Sequence, residues 1–120
     1  MKKTKNIFLA DPEEHDYPAA LDFLELIYPR ALASKKVASL KKAPTIMKKA
    51  KDVFRASGLP LLPKDNFHVQ KNLEKFKENN KLSPILLVRG NEKLIIADGY
   101  HRMCASYYLT EDLEIACRLV

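Results

Sequence analysis

The stretch that most restricts this chain's fold is Ile85-Leu86-Leu87-Val88, four apolar residues in a row after Pro84 and before Arg89-Gly90-Asn91. It is too short for a helix and does not alternate, which is the pattern of a buried strand. Gly90-Asn91 supplies turn chemistry, and Lys93-Leu94-Ile95-Ile96-Ala97-Asp98 returns as a second strand, so the pair reads as a hairpin. Asp98-Gly99 could itself be a hairpin turn. The residues after it decide otherwise, because Cys104, Ala105, Tyr108 and Leu109 recur at helical spacing. The chain is expected to leave a strand, turn at Asp98-Gly99, and run as a helix from about Gly99 to Leu109. In the final stretch Ile115, Cys117 and Leu119 alternate onto one face of a last strand.

Upstream the pattern is helical. Asp11 to Asp16 reads as an exposed acidic leader. Pro18 suits a first helical turn, and Leu21, Leu24, Ile27 and Tyr28 then repeat at helical spacing until Pro29 closes the helix. Ser34 is a candidate N-cap for a second helix with Val37 and Leu40 inward. Pro44 opens a third, on which Ile46, Met47, Ala50, Val53 and Phe54 form one apolar stripe. Gly58 is placed as its left-handed C′ residue, ahead of Pro60. Leu59-Pro60-Leu61-Leu62-Pro63 fits an extended edge segment. Asp65 or Asn66 then caps a fourth helix with Val69, Leu73 and Phe76 inward. The expectation is an α+β (mixed α/β) fold with a small mixed sheet over 59–120 and a helical N-terminal extension over 1–58.

The net charge of +6 is concentrated, since residues 26–51 carry 8 basic and no acidic side chains. Such a stripe, spanning 30–51 on the Lys-rich helices, could meet nucleic acid or an acidic partner, or could be a solvated helical face. No apolar run approaches the roughly 20 residues that cross a bilayer. The basic start, Met1 to Ala10, has too short an apolar stretch for a signal peptide, which places the chain in the cytoplasm. Cys104 and Cys117 have no metal-ligand spacing and fit reduced, buried small hydrophobes.

The strand-to-helix turn carries the chemistry. The first amides of a helix lack internal partners, and the helix dipole adds positive potential there. Gly99 has no side chain to block an anion. Gly99 and Tyr100 offer backbone N–H groups, while His101 and Arg102 can add charge-assisted hydrogen bonds. Phosphate suits this arrangement. Asp98 is either a plain N-cap, a catalytic carboxylate alongside His101, or a ligand for Mg²⁺. Arg102 could instead pair with Glu111 or Asp112. Lys64 or Arg89 would add positive charge.

The stretch from Leu82 to Val120 resembles the core of the ParB/sulfiredoxin-like fold. Gly99, Arg102 and Ala105 match the G-x-x-R-x-x-A signature of ParB-type partition proteins. Gly99, His101 and Arg102 match the G-C-H-R of sulfiredoxins, and Asp98, Gly99 and Arg102 the D-G-H-T-R of the family's free-serine kinases. The resemblance implies a helix start that binds the phosphates of ATP, ADP or CTP, with phosphotransfer or nucleotide hydrolysis as the associated chemistries. Its departures are informative. Tyr100 stands where sulfiredoxins have their catalytic cysteine and where the ParB signature has glutamate, so reductase chemistry and CTP hydrolysis are not expected. The helix-turn-helix of ParB proteins has no counterpart before Val120. The kinases' glutamate base has its nearest counterpart in Asp65, which is equally a helix-capping residue. A dimer is compatible with the sequence but not indicated by it.

Overall fold

A computed structural model describes residues 7–120; the basic start, residues 1–6, lies outside the described residues. The elements run α1 (Asp16–Leu24), α2 (Arg30–Lys42), β1 (Ile46–Lys49), α3 (Ala50–Ser57), α4 (Phe67–Lys77), β2 (Ile85–Arg89), β3 (Leu94–Asp98), α5 (Tyr100–Leu109) and β4 (Glu114–Leu119). The fold is mixed α+β, around one sheet of order β1-β4-β2-β3. β4 pairs parallel with β2, and both outer pairings, β1 with β4 and β2 with β3, are antiparallel. Among the described residues no helix is long and apolar enough to cross a membrane.

The burial of Ile85 to Val88 now has a geometric cause. Successive strand residues point to opposite faces. Ile85 and Leu87 join a core with Val53 of α3, Val69 of α4 and Met103 of α5. Leu86 and Val88 join a second core with Tyr17, Ala20 and Leu24 of α1 and Val37 and Leu40 of α2. Helices cover both faces, so no residue of this run could be polar without losing burial. Both cysteines are free and buried, and burial pushes the Cys117 thiol up to about 11.

Several local expectations hold because nearest neighbours decide them. Asn66 caps α4, its Oδ1 accepting from the amides of His68 (2.9 Å) and Val69 (3.1 Å). Gly58 ends α3 in the left-handed region at φ 67°. The amide of Gly90 closes the β2–β3 hairpin on the carbonyl of Lys93.

Others are corrected by partners distant in sequence. The helix expected from Pro44 begins only at Ala50. Ile46–Lys49 is a strand, paired residue for residue with Glu114–Cys117. A helical stripe is outweighed here because β4 offers a ladder of otherwise unpaired backbone groups. The loop before β4 then fixes where α3 starts, by accepting from Ala50 N at Leu113 O and Lys51 N at Glu111 O. The segment 1–58 is therefore not a purely helical extension: it supplies an edge strand and the helical layer over one sheet face. Met47, Lys48 and Lys49 leave that edge exposed and charged.

Ser34 is not a cap but lies inside α2, which starts directly after Pro29. α1 ends at Leu24, so Ile27 falls in a turn and is 47% exposed. Leu59–Pro63 forms no strand. Two prolines in five residues remove ladder donors, and its carbonyls are taken by α5 instead, with Tyr100 Oη donating to Pro60 O and Tyr108 Oη to Leu62 O.

Candidate functional site

Gly99 turns β3 into α5 at φ 107°, a conformation side-chain-bearing residues rarely adopt. A Cβ there would lie 2.9 Å from Arg102 Nη2 and 3.0 Å from Ile85 Cγ1. The turn therefore needs glycine on two counts, backbone and space. Gly99→Ala is expected to cost about 1–3 kcal/mol and to displace the guanidinium; chemical denaturation and a crystal structure of the variant check both. The N-cap of α5 is Gly99, which has no side chain to offer, so among the described residues the first-turn amides of Tyr100, His101 and Arg102 have no side-chain cap.

Arg102 folds back over its own helix start. Nη2 donates to Asp98 Oδ2 at 3.0 Å and to Pro84 O at 3.3 Å, whereas the buried Nε has no partner. Among the described residues it does not pair with Glu111 or Asp112; Asp112 is held by Lys51 at 2.9 Å. The guanidinium lies against the Gly99 turn with its bonding only partly spent.

Asp98 has a second neighbour that the sequence did not reveal. Asp16 is 2% exposed at the start of α1, where Oδ2 accepts from the amide of Glu13 at 3.0 Å and from the hydroxyl of Ser83. Its carboxyl is a near enough neighbour of Asp98 to act on it. Burial pushes the Asp98 carboxyl above the usual carboxylate range; Arg102 pulls it down, and Asp16 pushes it further up. The expected exposed acidic leader holds for Asp11, Glu13 and Glu14 and fails only at Asp16. Residues 7–9 bridge to Leu82, which brings Asp16 down onto Ser83, and Asp11, though exposed, reaches Arg118 at 2.6 Å. A signal existed, since Asp16 is four residues before Ala20 and so on the inward stripe of α1.

His101 packs its ring 4.8 Å from that of His68, in the first turn of α4, and 5.8 Å from that of Tyr100. Burial first, then His68 and Arg102, hold the His101 imidazole below its ordinary range. It is a neutral ring in the free protein near pH 7.

The remaining candidates separate. Lys64 and Asp65 are exposed in the loop entering α4, and the Asp65 carboxylate makes no hydrogen bond or ion pair among the described residues. Capping falls to Asn66. Arg89 lies at the opposite end of β2 from Ile85, about 13 Å away at strand rise, opposite Leu94. As a Mg²⁺ ligand Asp98 has only Oδ1 left, because Arg102 occupies Oδ2. Glu13, His15 and Asp16 place one donor atom each within 4.8 Å of one another, with Glu13 and His15 exposed.

In the basic stripe, half of the eight cations are engaged. Arg30 pairs with Glu25 (2.7 Å) and Lys51 with Asp112, while Lys36 and Lys41 lie over the rings of Tyr28 and Tyr17. Comparison with protein-family models, curated proteins and solved structures finds no match to the chain.

Proposed function

We propose that the start of α5 binds the phosphate of a phosphorylated small molecule. The observation that carries this reading is a helix start whose N-cap is a glycine, with the Arg102 guanidinium packed against that turn and its donors only partly used. An anion there would meet amide N–H groups and the positive end of the helix dipole. Arg102 would redirect the Nη2 N–H now on the carbonyl of Pro84 to the ligand while its other N–H keeps Asp98 as counter-ion. His101 would donate a hydrogen bond from its ring edge. The resemblance to ParB, sulfiredoxin and free-serine kinase helix starts points to the same ligand chemistry. Asp98, its carboxyl raised by burial and by neighbouring Asp16, would hold a proton beside the bound phosphate, the role expected of a general acid or base in phosphoryl transfer.

The test is thermal unfolding with inorganic phosphate, tripolyphosphate, ATP, ADP, CTP and GTP, each with and without Mg²⁺. A ligand present at a hundred times its Kd stabilises by about 2.7 kcal/mol, an upward shift on the order of 10 °C for a domain of this size. The pH dependence has a defined sign. His101 is neutral when free and gains a proton against a bound anion, so affinity should rise as pH falls from 8 to 6. No stabilisation by any member of the panel at millimolar concentration ends the proposal; a flat pH profile removes His101 from it.

The basic stripe supports a second reading, contact with nucleic acid, through Lys35, Lys42, Lys48 and Lys49, which have no partner among the described residues. It is the weaker reading, because the other four cations are held by the protein's own acids and aromatics.

A further inference from the structure

The corner between α1 and α2 carries a surface that neither core nor the α5 start uses. Six large hydrophobic side chains are exposed among the described residues, and four of them, Phe23, Leu26, Ile27 and Leu32, fall between positions 23 and 32. Leu26 is 84% exposed and the other three between 40% and 47%. Helical hydrogen bonding continues past the end of α1, from Leu26 N to Phe23 O at 3.1 Å, Ile27 N to Leu24 O at 3.0 Å and Tyr28 N to Leu24 O at 2.8 Å. Phe23, Leu26 and Ile27 therefore sit at neighbouring positions on that last turn, and Leu32 follows in the first turn of α2. α1 buries Tyr17, Ala20 and Leu24 on one side and still shows apolar side chains on another, where a surface helix is usually polar. Single exposed apolar residues are ordinary, but a group of four at one corner marks a contact surface.

We infer that this corner rests on an anionic membrane surface, with Phe23, Leu26, Ile27 and Leu32 entering the boundary between headgroups and acyl chains. Charge selects the occupant. Between Glu25 and Asp52 there are eight basic side chains and no acidic one, and Lys35 and Lys36 lie one turn beyond Leu32 on α2. Lys36 keeps its charge although it sits 5.0 Å from the centre of the Tyr28 ring. Of the two acids at the corner, Glu25 is paired with Arg30 at 2.7 Å, which leaves Asp22. A second copy of the chain would bring the same cations against one another. Nucleic acid would meet the cations and leave the apolar side chains in water. An anionic lipid surface takes up both, and it needs both, because a single such signal gives only marginal attachment. A side chain as exposed as Leu26 projects from the protein rather than lining a groove, which suits a soft surface better than a peptide. The chain would lie on the membrane and not cross it, since no helix among the described residues is long and apolar enough to span. Leu26 is ten residues past Asp16, about 15 Å of helix, so the α5 start beyond Asp16 would stay in water.

The experiment is flotation of the full chain with vesicles of phosphatidylcholine alone and of phosphatidylcholine with about one-third phosphatidylserine. It is run on the native protein, Leu26→Ser, Leu26→Phe and the double variant Lys35→Gln, Lys36→Gln. The native chain should bind the phosphatidylserine vesicles about tenfold or more tightly than the neutral ones, the effect of two cations near an anionic surface. Leu26→Ser should weaken that binding about tenfold, the low end for one leucine side chain taken out of water, while Leu26→Phe should keep it. The double lysine variant should lose about tenfold on phosphatidylserine vesicles and nothing on neutral ones. The exposure of Leu26 keeps its substitutions out of the core, and circular dichroism checks that the variants fold. No flotation with either vesicle, equal binding to the two lipids, or binding that Leu26→Ser leaves unchanged overturns the proposal. A native dimer in sedimentation velocity that Leu26→Ser breaks also overturns it, by giving the corner to a second copy of the chain. None of these outcomes bears on the phosphate site at α5.

Discussion

Arg118→Ala is expected to lower stability by about 3–5 kcal/mol, the combined cost of buried carbonyls left without donors and of the cavity left behind. Arg118 is 7% exposed on β4, between two β-strands, where an apolar residue would be usual. Its donors are spread over three segments. Nη1 reaches Leu40 O (3.2 Å), Lys41 O (2.8 Å) and the Tyr17 hydroxyl (3.4 Å), Nε reaches Thr45 Oγ1 (3.2 Å), and Nη2 reaches Asp11 Oδ1 (2.6 Å). Leu40 and Lys41 are in the last turn of α2, whose carbonyls have no helical partners of their own. Alanine would leave those carbonyls buried and unmet and open a cavity beneath α2. The midpoint of thermal unfolding should fall by roughly 10–20 °C.

Two further variants identify the cause. Asp11→Asn should cost at most about 1 kcal/mol, because that carboxylate is 77% exposed and its ion pair is screened by water. Arg118→Lys keeps the charge but cannot reach all these acceptors, and should fall between. If Asp11→Asn costs as much as Arg118→Ala in urea denaturation, charge pairing and not carbonyl satisfaction holds the clamp.

Arg102→Ala is the second large effect, and it acts on binding and on stability with different signatures. Ligand affinity should drop about 10- to 100-fold, the value of one charge-assisted hydrogen-bonding group. Stability should drop by about 2–4 kcal/mol near pH 7.5, a little under the fully buried case because both side chains keep some exposure. The pH dependence follows from Asp98. Its folded-state affinity for a proton is already above that of the unfolded chain, chiefly through burial, and Arg102 opposes that rise. Without Arg102 the carboxyl is pushed higher still. A group of this kind contributes its stability at pH values below its unfolded range and loses it as pH rises through its folded one. The deficit of Arg102→Ala should therefore be smaller at pH 4.5 than at pH 7.5. Equal deficits at the two pH values would mean that the guanidinium stabilises by packing alone. Unchanged affinity would remove Arg102 from the ligand site.

The path from sequence to site was uneven for identifiable reasons. The strand-to-helix turn at Asp98-Gly99 is legible because a strand ending in glycine before a helical repeat is a local pattern. Arg89 looked equally suitable as a positive residue, yet strand geometry carries it to the other end of the hairpin. Asp16 looked like one more solvated acid, although it is buried against Ser83, 67 positions away. The meeting of His68 with His101 has no local signal, since only the packing of α4 on α5 brings the two rings together.

What the chain determines by itself is whatever residues within about four positions of one another can settle: the β2–β3 hairpin, the Asn66 cap, the Gly58 helix end and the left-handed turn at Gly99. Tertiary structure alone decided that Ile46–Lys49 is a strand, that α1 and α2 cover the second sheet face, and that Asp16 and Arg118 are buried with partners. The reason is common to all of these. Backbone and charged groups far apart in sequence must find one another to leave water, and which of them meet depends on the completed sheet.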